Sequence, residues 1–240
     1  MSDCRCNTGP SAAPGCGSGN RETVCVDTMR VLDSCRDKDC YEDVRVLLTP
    51  FGQELIDRTG NVRVNEAKVL GAEVSVNPVA FNPGFFQTTV RYYIRCRCEA
   101  CLSPGRAQEF TGLCVADKNV VLYGGEGNVV AFRSNGIGGF CPSPFVDNKS
   151  DNLPTAVVET VDPVVLSAHV AQPCREDDMP VCPCGGLPEP VLNAFPDGAP
   201  EWERPGGNNR LYVSLGIFSV VRIQRPGQFL VSAQEYSVPE

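Results

Sequence analysis

The sequence predicts a mainly β protein, with sandwich-like packed antiparallel sheets and a small N-terminal helical element. Three observations predict it. Runs of β-branched and aromatic residues alternate with period two. Gly, Pro and Asn signals separate them at short intervals. Helical periodicity is confined to the stretch before residue 60.

Residues 1–21 are Gly, Ser, Pro, Asn and Cys with almost no large apolar group, so they are expected to form a flexible arm. Residues 22–240 read as a single β-rich domain. Its first segment, ETVCVDTMRVLDSCR (22–36), places Cys25, Met29 and Leu32 at i, i+4 and i+7, which predicts a helix. A short second helix is predicted at 49–58, with Thr49 as N-cap, Pro50 at the first helical position, and Leu55 and Ile56 facing inward.

Strands follow. Residues 62–76 alternate around Val62/Val64 and Val74/Val76, with Asn77-Pro78 as a break and Asn82-Pro83-Gly84 as a turn. FFQTTVRYYIRCRC (85–98) reads as a long strand. Phe86, Thr88, Val90, Tyr92 and Ile94 share its apolar face, and Gln87, Thr89, Arg91, Tyr93 and Arg95 share a mixed one. Further strands are predicted at 109–116, 119–123, 128–133, 155–159, 164–171, 210–215, 217–224 and 229–236. Gly124-Gly125 and Pro226-Gly227 read as hairpin turns. Two Gly- and Pro-rich stretches, 134–153 and 173–208, read as long loops.

Composition excludes several functions. The chain has 240 residues, with 21 Lys and Arg against 29 Asp and Glu, a net charge of -8. An acidic chain without a basic block is not expected to bind nucleic acid. No run reaches the ~18 apolar residues of a membrane span. Residues 1–20 lack the apolar core of a secretory signal. The one histidine, His169, rules out His-rich metal sites and is the sole histidine available to a Cys–His hydrolase. Its position in an alternating strand argues for a structural role, so no catalytic residue and no cofactor are expected.

The 14 cysteines are the anomaly. Such usage suits an oxidising compartment, yet no export signal is read. Three C-x-C pairs occur, Cys4/Cys6, Cys96/Cys98 and Cys182/Cys184, and Cys101 extends the second. On an extended strand, i and i+2 side chains run parallel, so such a pair is badly placed to bond to itself. It can present two sulfurs to other thiols or to one metal. Cys96, Cys98 and Cys101 could supply three zinc ligands, which gives the alternative of a zinc-stabilised cytoplasmic binding module. No paired C-x-x-C knuckle accompanies them. Cys25 and Cys114 lie within apolar runs and read as buried small hydrophobes.

Four stretches together resemble a known group. They are residues 35–58, 72–101, 150–170 and 210–239, with NPGFF (82–86) leading into an aromatic strand as the most specific signature. They resemble cysteine-containing proteins of spore-forming Clostridia and their relatives, of the coat or exosporium type. The resemblance implies a structural subunit of the spore surface that assembles with itself, and with other shell proteins, into disulfide-linked layers or filaments. It implies synthesis in the mother-cell cytoplasm without a signal peptide, and oxidation once the shell is exposed. It carries over no catalytic residue. On this reading Cys4, Cys6, Cys16, Cys182 and Cys184 are the first candidates for intermolecular disulfides. Cys96, Cys98 and Cys101 come next.

Overall fold

The computed structural model describes residues 22–103, 106–126, 153–172, 186–195, 198–200 and 209–233. The protein is mainly β, with antiparallel pairing and few helices. In chain order the elements are β1 (Glu22–Leu48), α1 (Pro50–Arg58), β2 (Val62–Pro78), β3 (Phe85–Ser103), β4 (Arg106–Tyr123), β5 (Thr155–Thr160), β6 (Val164–Ala171), α2 (Glu189–Leu192) and β7 (Arg210–Ala233). The strands follow the order β2-β3-β4-β1-β7-β5, and β6 also pairs with β7.

Two compact units are present, Met1–Met29 with Pro226–Glu240, and Arg30–Arg225. In the first, the described residues are strand segments of β1 and β7. Residues 23–29 are all exposed, and so are the apolar side chains of Val24, Val26, Met29, Phe229, Leu230 and Val231.

The larger unit is built on the β2–β3–β4 meander. The turn between β2 and β3 is the predicted one. Phe85 N donates to Asn82 O at 3.2 Å, and Val79 N donates to Phe85 O at 3.0 Å. Gly84 closes it at φ +82, where a Cβ would stand 2.8 Å from the Tyr123 ring. On β3 the expected faces hold. Phe86, Thr88, Val90, Tyr92 and Ile94 are buried, while Gln87, Thr89, Arg91 and Arg95 keep access to solvent. Arg91 and Asp117 stand directly opposite across β3 and β4 and bond at 2.7 and 2.8 Å.

Beyond the meander, β7 pairs with β6 through 210–216 and with β5 through 219–224. The sheet turns back on itself, so β5 and β6 lie against β2. Val69 N donates to Asp162 Oδ1 at 3.0 Å across this approach. An open groove of about 650 Å³ lies beside it, lined by residues 62–67 and 163–168. The main core fills the interior with Val90, Tyr92, Ile94, Leu211, Val213, Leu215, Ile217, Val221 and Ile223.

Helix α1 is also as expected. Thr49 Oγ1 accepts from Gly52 N at 3.2 Å, Pro50 opens the helix, and Leu55 and Ile56 are buried. This is the small helical element, and it lies at 50–58. The helix expected at 22–36 is instead the first half of β1. The spacing of Cys25, Met29 and Leu32 is coincidental. Val24, Val26 and Val31 favour an extended backbone, and strand pairing decides the outcome.

Strands β4 and β7 are longer than expected. The two predicted at 109–116 and 119–123 are one, because the β3 ladder runs unbroken through Tyr92↔Ala116, Arg91↔Asp117 and Val90↔Lys118. The three predicted across 210–236 merge into β7, which continues through Pro226-Gly227 without a turn. Strand 128–133 and nearly all of loop 134–153 lie outside the described residues. The stretch expected to be a loop at 173–208 contains α2. Val191 and Phe195 pack with Leu47, Tyr93 and Leu113 in a second core. That packing buries Tyr93 on the mixed face of β3.

Candidate functional site

Sulfur dominates the sequence, and the fold sorts it. Among the described residues Cys25, Cys35, Cys40, Cys96, Cys98, Cys101 and Cys114 are free thiols. Cys4, Cys6, Cys16, Cys182 and Cys184 lie outside the described residues, as do Cys141 and Cys174.

Strand alternation on β3 puts Ile94, Cys96, Cys98 and Ala100 on one face, each 0% exposed. Cys101 falls on the opposite face with Arg97 and Glu99, and it is half-buried. The three cysteines therefore do not converge, and no group of three or more His, Cys, Asp or Glu among the described residues is placed to hold a metal. The same burial removes Cys96 and Cys98 from contact between chains. A sulfur sealed in the core of one folded chain cannot meet a sulfur of another. Cys101 remains accessible.

Cys114 of β4 completes the inner set. It stands diagonally from Cys96, because Cys96 pairs with Gly112 and Cys114 with Ile94. Their Sγ atoms are 3.4 Å apart. Gly112 leaves the room, since a Cβ there would stand 2.4 Å from Val46 Cγ1. Burial, and next the neighbouring Cys96, push the Cys98 thiol well above its ordinary range. The sulfur contact with Cys96 and burial do the same for Cys114. Protonated, enclosed thiols are poor nucleophiles and poor targets for oxidants.

The outer set lies on β1. Cys25 and Cys40 are exposed, and Cys35 is half-buried against the core. Cys25 was expected inside, as part of a helical stripe. As a strand residue it faces solvent, whereas Cys114 is buried as expected. Cys35 and Cys40 bracket RDKD, and that polar setting was the available sign of exposure.

A partly buried charge cluster joins β4 to β1. Lys118 is 5% exposed and lies on the inward face of β4, opposite Val90. Its Nζ donates to Asp37 Oδ2 at 3.2 Å and contacts Asp39 Oδ2 directly. Tyr41 and Tyr92 flank it. Burial raises both phenols, and the Asp39 charge adds to the rise in each. The Tyr92, Ser219 and Thr88 hydroxyls are buried without a protein partner. Such groups are normally served by internal water.

His169, the residue a Cys–His hydrolase would need, is half-exposed on β6. It stacks on Tyr212 at 5.5 Å, and its Nδ1 lies 3.8 Å from Asp43 Oδ1. Neither neighbour is a thiol. Asp43 itself takes φ 49, and its N–H donates to Ser214 Oγ at 3.2 Å.

No protein-family model matches the sequence, and no curated protein or solved structure matches it. No helix among the described residues is long and apolar enough to cross a membrane.

Proposed function

We propose that the protein is a structural, self-assembling subunit of a bacterial spore-surface layer, of the coat or exosporium type. Copies associate into ordered oligomers, and intermolecular disulfides then lock them. The role is mechanical rather than catalytic. The observation that carries this reading is the division of the thiols. The core encloses Cys96, Cys98 and Cys114 as free thiols, while β1 offers Cys25 and Cys40 to the surroundings. A chain of this size buries a core without cross-links, so its outer sulfurs are available for joining chains. Exposed apolar side chains at Val24, Val26, Phe229, Leu230 and Val231 add surface that association would cover. The resemblance of four segments to clostridial spore-surface proteins supplies the setting. Synthesis inside the mother cell and later oxidation account for the abundant cysteine.

Electron microscopy of the purified full chain, with non-reducing and reducing gels after mild oxidation, tests the proposal. Ordered assemblies and a ladder that collapses with reductant are expected. Replacing Cys25 and Cys40 by Ser should thin the ladder while leaving the circular dichroism spectrum unchanged. Deleting residues 1–21, which carry Cys4, Cys6 and Cys16, should thin it further. A chain that stays monomeric under oxidising conditions would overturn the reading.

A further inference from the structure

We propose that Lys118 and Asp39 join in an intramolecular amide bond, formed by the folded chain itself with Asp37 as proton carrier, so that β4 and β1 become covalently linked. Three observations point there. First, the Lys118 ammonium is almost wholly enclosed, which is rare for lysine, and it touches the Asp39 carboxylate directly. Reacting groups held in contact need no further search to meet. Second, a separate carboxylate touches the same nitrogen. Asp37 lies two residues from Asp39 on β1, and its Oδ2 is 3.2 Å from Nζ. Third, the surroundings disfavour charge. Tyr41 packs against the core, Tyr92 is fully buried, and Val90 stands opposite Lys118.

The ladder between β1 and β4 gives the bond a purpose. Its pairs are Val46↔Cys114, Leu47↔Leu113 and Leu48↔Gly112. Lys118 reaches β1 well beyond this pairing, at Asp37 and Asp39. A covalent tie there would hold the two strands where the ladder does not.

The chemistry balances without an oxidant or cofactor. Asp37 takes a proton from the Lys118 ammonium and passes it to the Asp39 carboxylate, leaving a neutral amine beside a protonated acid. Nζ attacks Asp39 Cγ, and the Nζ–Cγ bond forms. Asp37 then takes a second proton from the nitrogen and gives it to the departing hydroxyl, the Cγ–Oδ bond breaks, and water leaves. Both hydrogens of that water come from the ammonium. One positive and one negative charge vanish together, and a neutral amide remains. Asp37 is half-exposed, its side chain 51% accessible, which gives the water a way out.

The resting state is an ion pair. Burial works to strip the lysine of its proton, and its bonds to Asp39 and Asp37 outweigh burial and raise its pKa. The Lys118 contact holds Asp37 below its ordinary range. The amide therefore forms through the small neutral fraction, slowly after folding. Each conversion removes two partly buried charges whose solvation had been lost.

Intact-mass spectrometry of the full chain, after folding, incubation, reduction and denaturation, tests this. Reduction removes any contribution from disulfides. The expected mass is about 18 Da below that of the sequence, the mass of the water lost. Digestion should give a branched peptide joining the segments that carry Asp39 and Lys118. Lys118→Met and Asp39→Ala should return the full mass. Asp37→Asn should fold, by circular dichroism, and mature at least tenfold more slowly. An unchanged mass after days of incubation of the folded wild-type chain would overturn the proposal. So would an 18 Da loss whose digest contains linear peptides alone, the mark of a cyclised aspartate.

Discussion

The inner and outer thiols should differ in reactivity by orders of magnitude in one molecule. The perturbation is a small alkylating reagent added to reduced, native protein. Cys25 and Cys40 are exposed and should react at the rate of a free thiol. Cys96, Cys98 and Cys114 are each 0% exposed, so reaction must await an opening of the core. For a domain with an unfolding free energy of about 5 kcal/mol, the low end of the usual range, that opening slows labelling by roughly three to four orders of magnitude. Raised pKa values add to the protection while the core is shut, because alkylation needs the thiolate. Timed quenching followed by peptide mass spectrometry measures each site separately. Denaturant should erase the difference. Labelling of Cys98 or Cys114 within tenfold of Cys40, with circular dichroism unchanged, would refute the division of thiols and with it the main support for the proposed function.

Other consequences are equally direct. Thr49→Ala removes the cap on Gly52 N and should lower stability by about 1 kcal/mol in urea titrations. Gly112→Ala places a Cβ against Val46, Leu48 and the Leu47 carbonyl, and should cost about 1–3 kcal/mol by the same measurement. Burial and the hydrogen bond to Glu73 push Tyr93 from 10.0 up to about 12. Its protonated form thus contributes stability that is whole below pH 10 and lost as pH climbs through 12. Tyr93→Phe should flatten the decline in urea midpoint over that window, and an unaltered slope would show that Tyr93 does not drive it.

Much of the fold was legible because local and global signals agreed. Thr49-Pro50 specified the start of α1, and the alternation from Phe86 to Ile94 specified the inward face of β3. Where they disagreed, pairing won. Cys25, Met29 and Leu32 matched a helical stripe, yet β1 is extended. Pro226-Gly227 looked like a turn, yet β7 runs through it. The second core was hidden because Tyr93 meets Val191 and Phe195 across nearly 100 residues of sequence. The C-x-C-x-x-C spacing suggested three thiols acting together, and strand parity separates them. Lys118 carries only a faint local signal. It lies in phase with Cys114 and Ala116, a charge on an apolar face. Which carboxylates answered it depended on how β1 lies against β4, and no local pattern encodes that.

For a chain proposed to assemble, wrong joining matters as much as right joining. The outer edge of β2 faces β6 across an open groove, and a bare strand edge invites uncontrolled sheet growth. The register of β2 breaks twice, at Val64/Glu66 and at Val69/Gly71. Arg63, Glu66 and Lys68 crowd the same stretch, and Asp162 occupies the N–H of Val69. An incoming strand would meet a bent, charged and partly occupied edge instead of a straight ladder. Fibril-like stacking through this edge is thereby obstructed. In the proposed assembly, growth would fall to other surfaces and to thiols, where each added copy must dock in one orientation before it can be bonded.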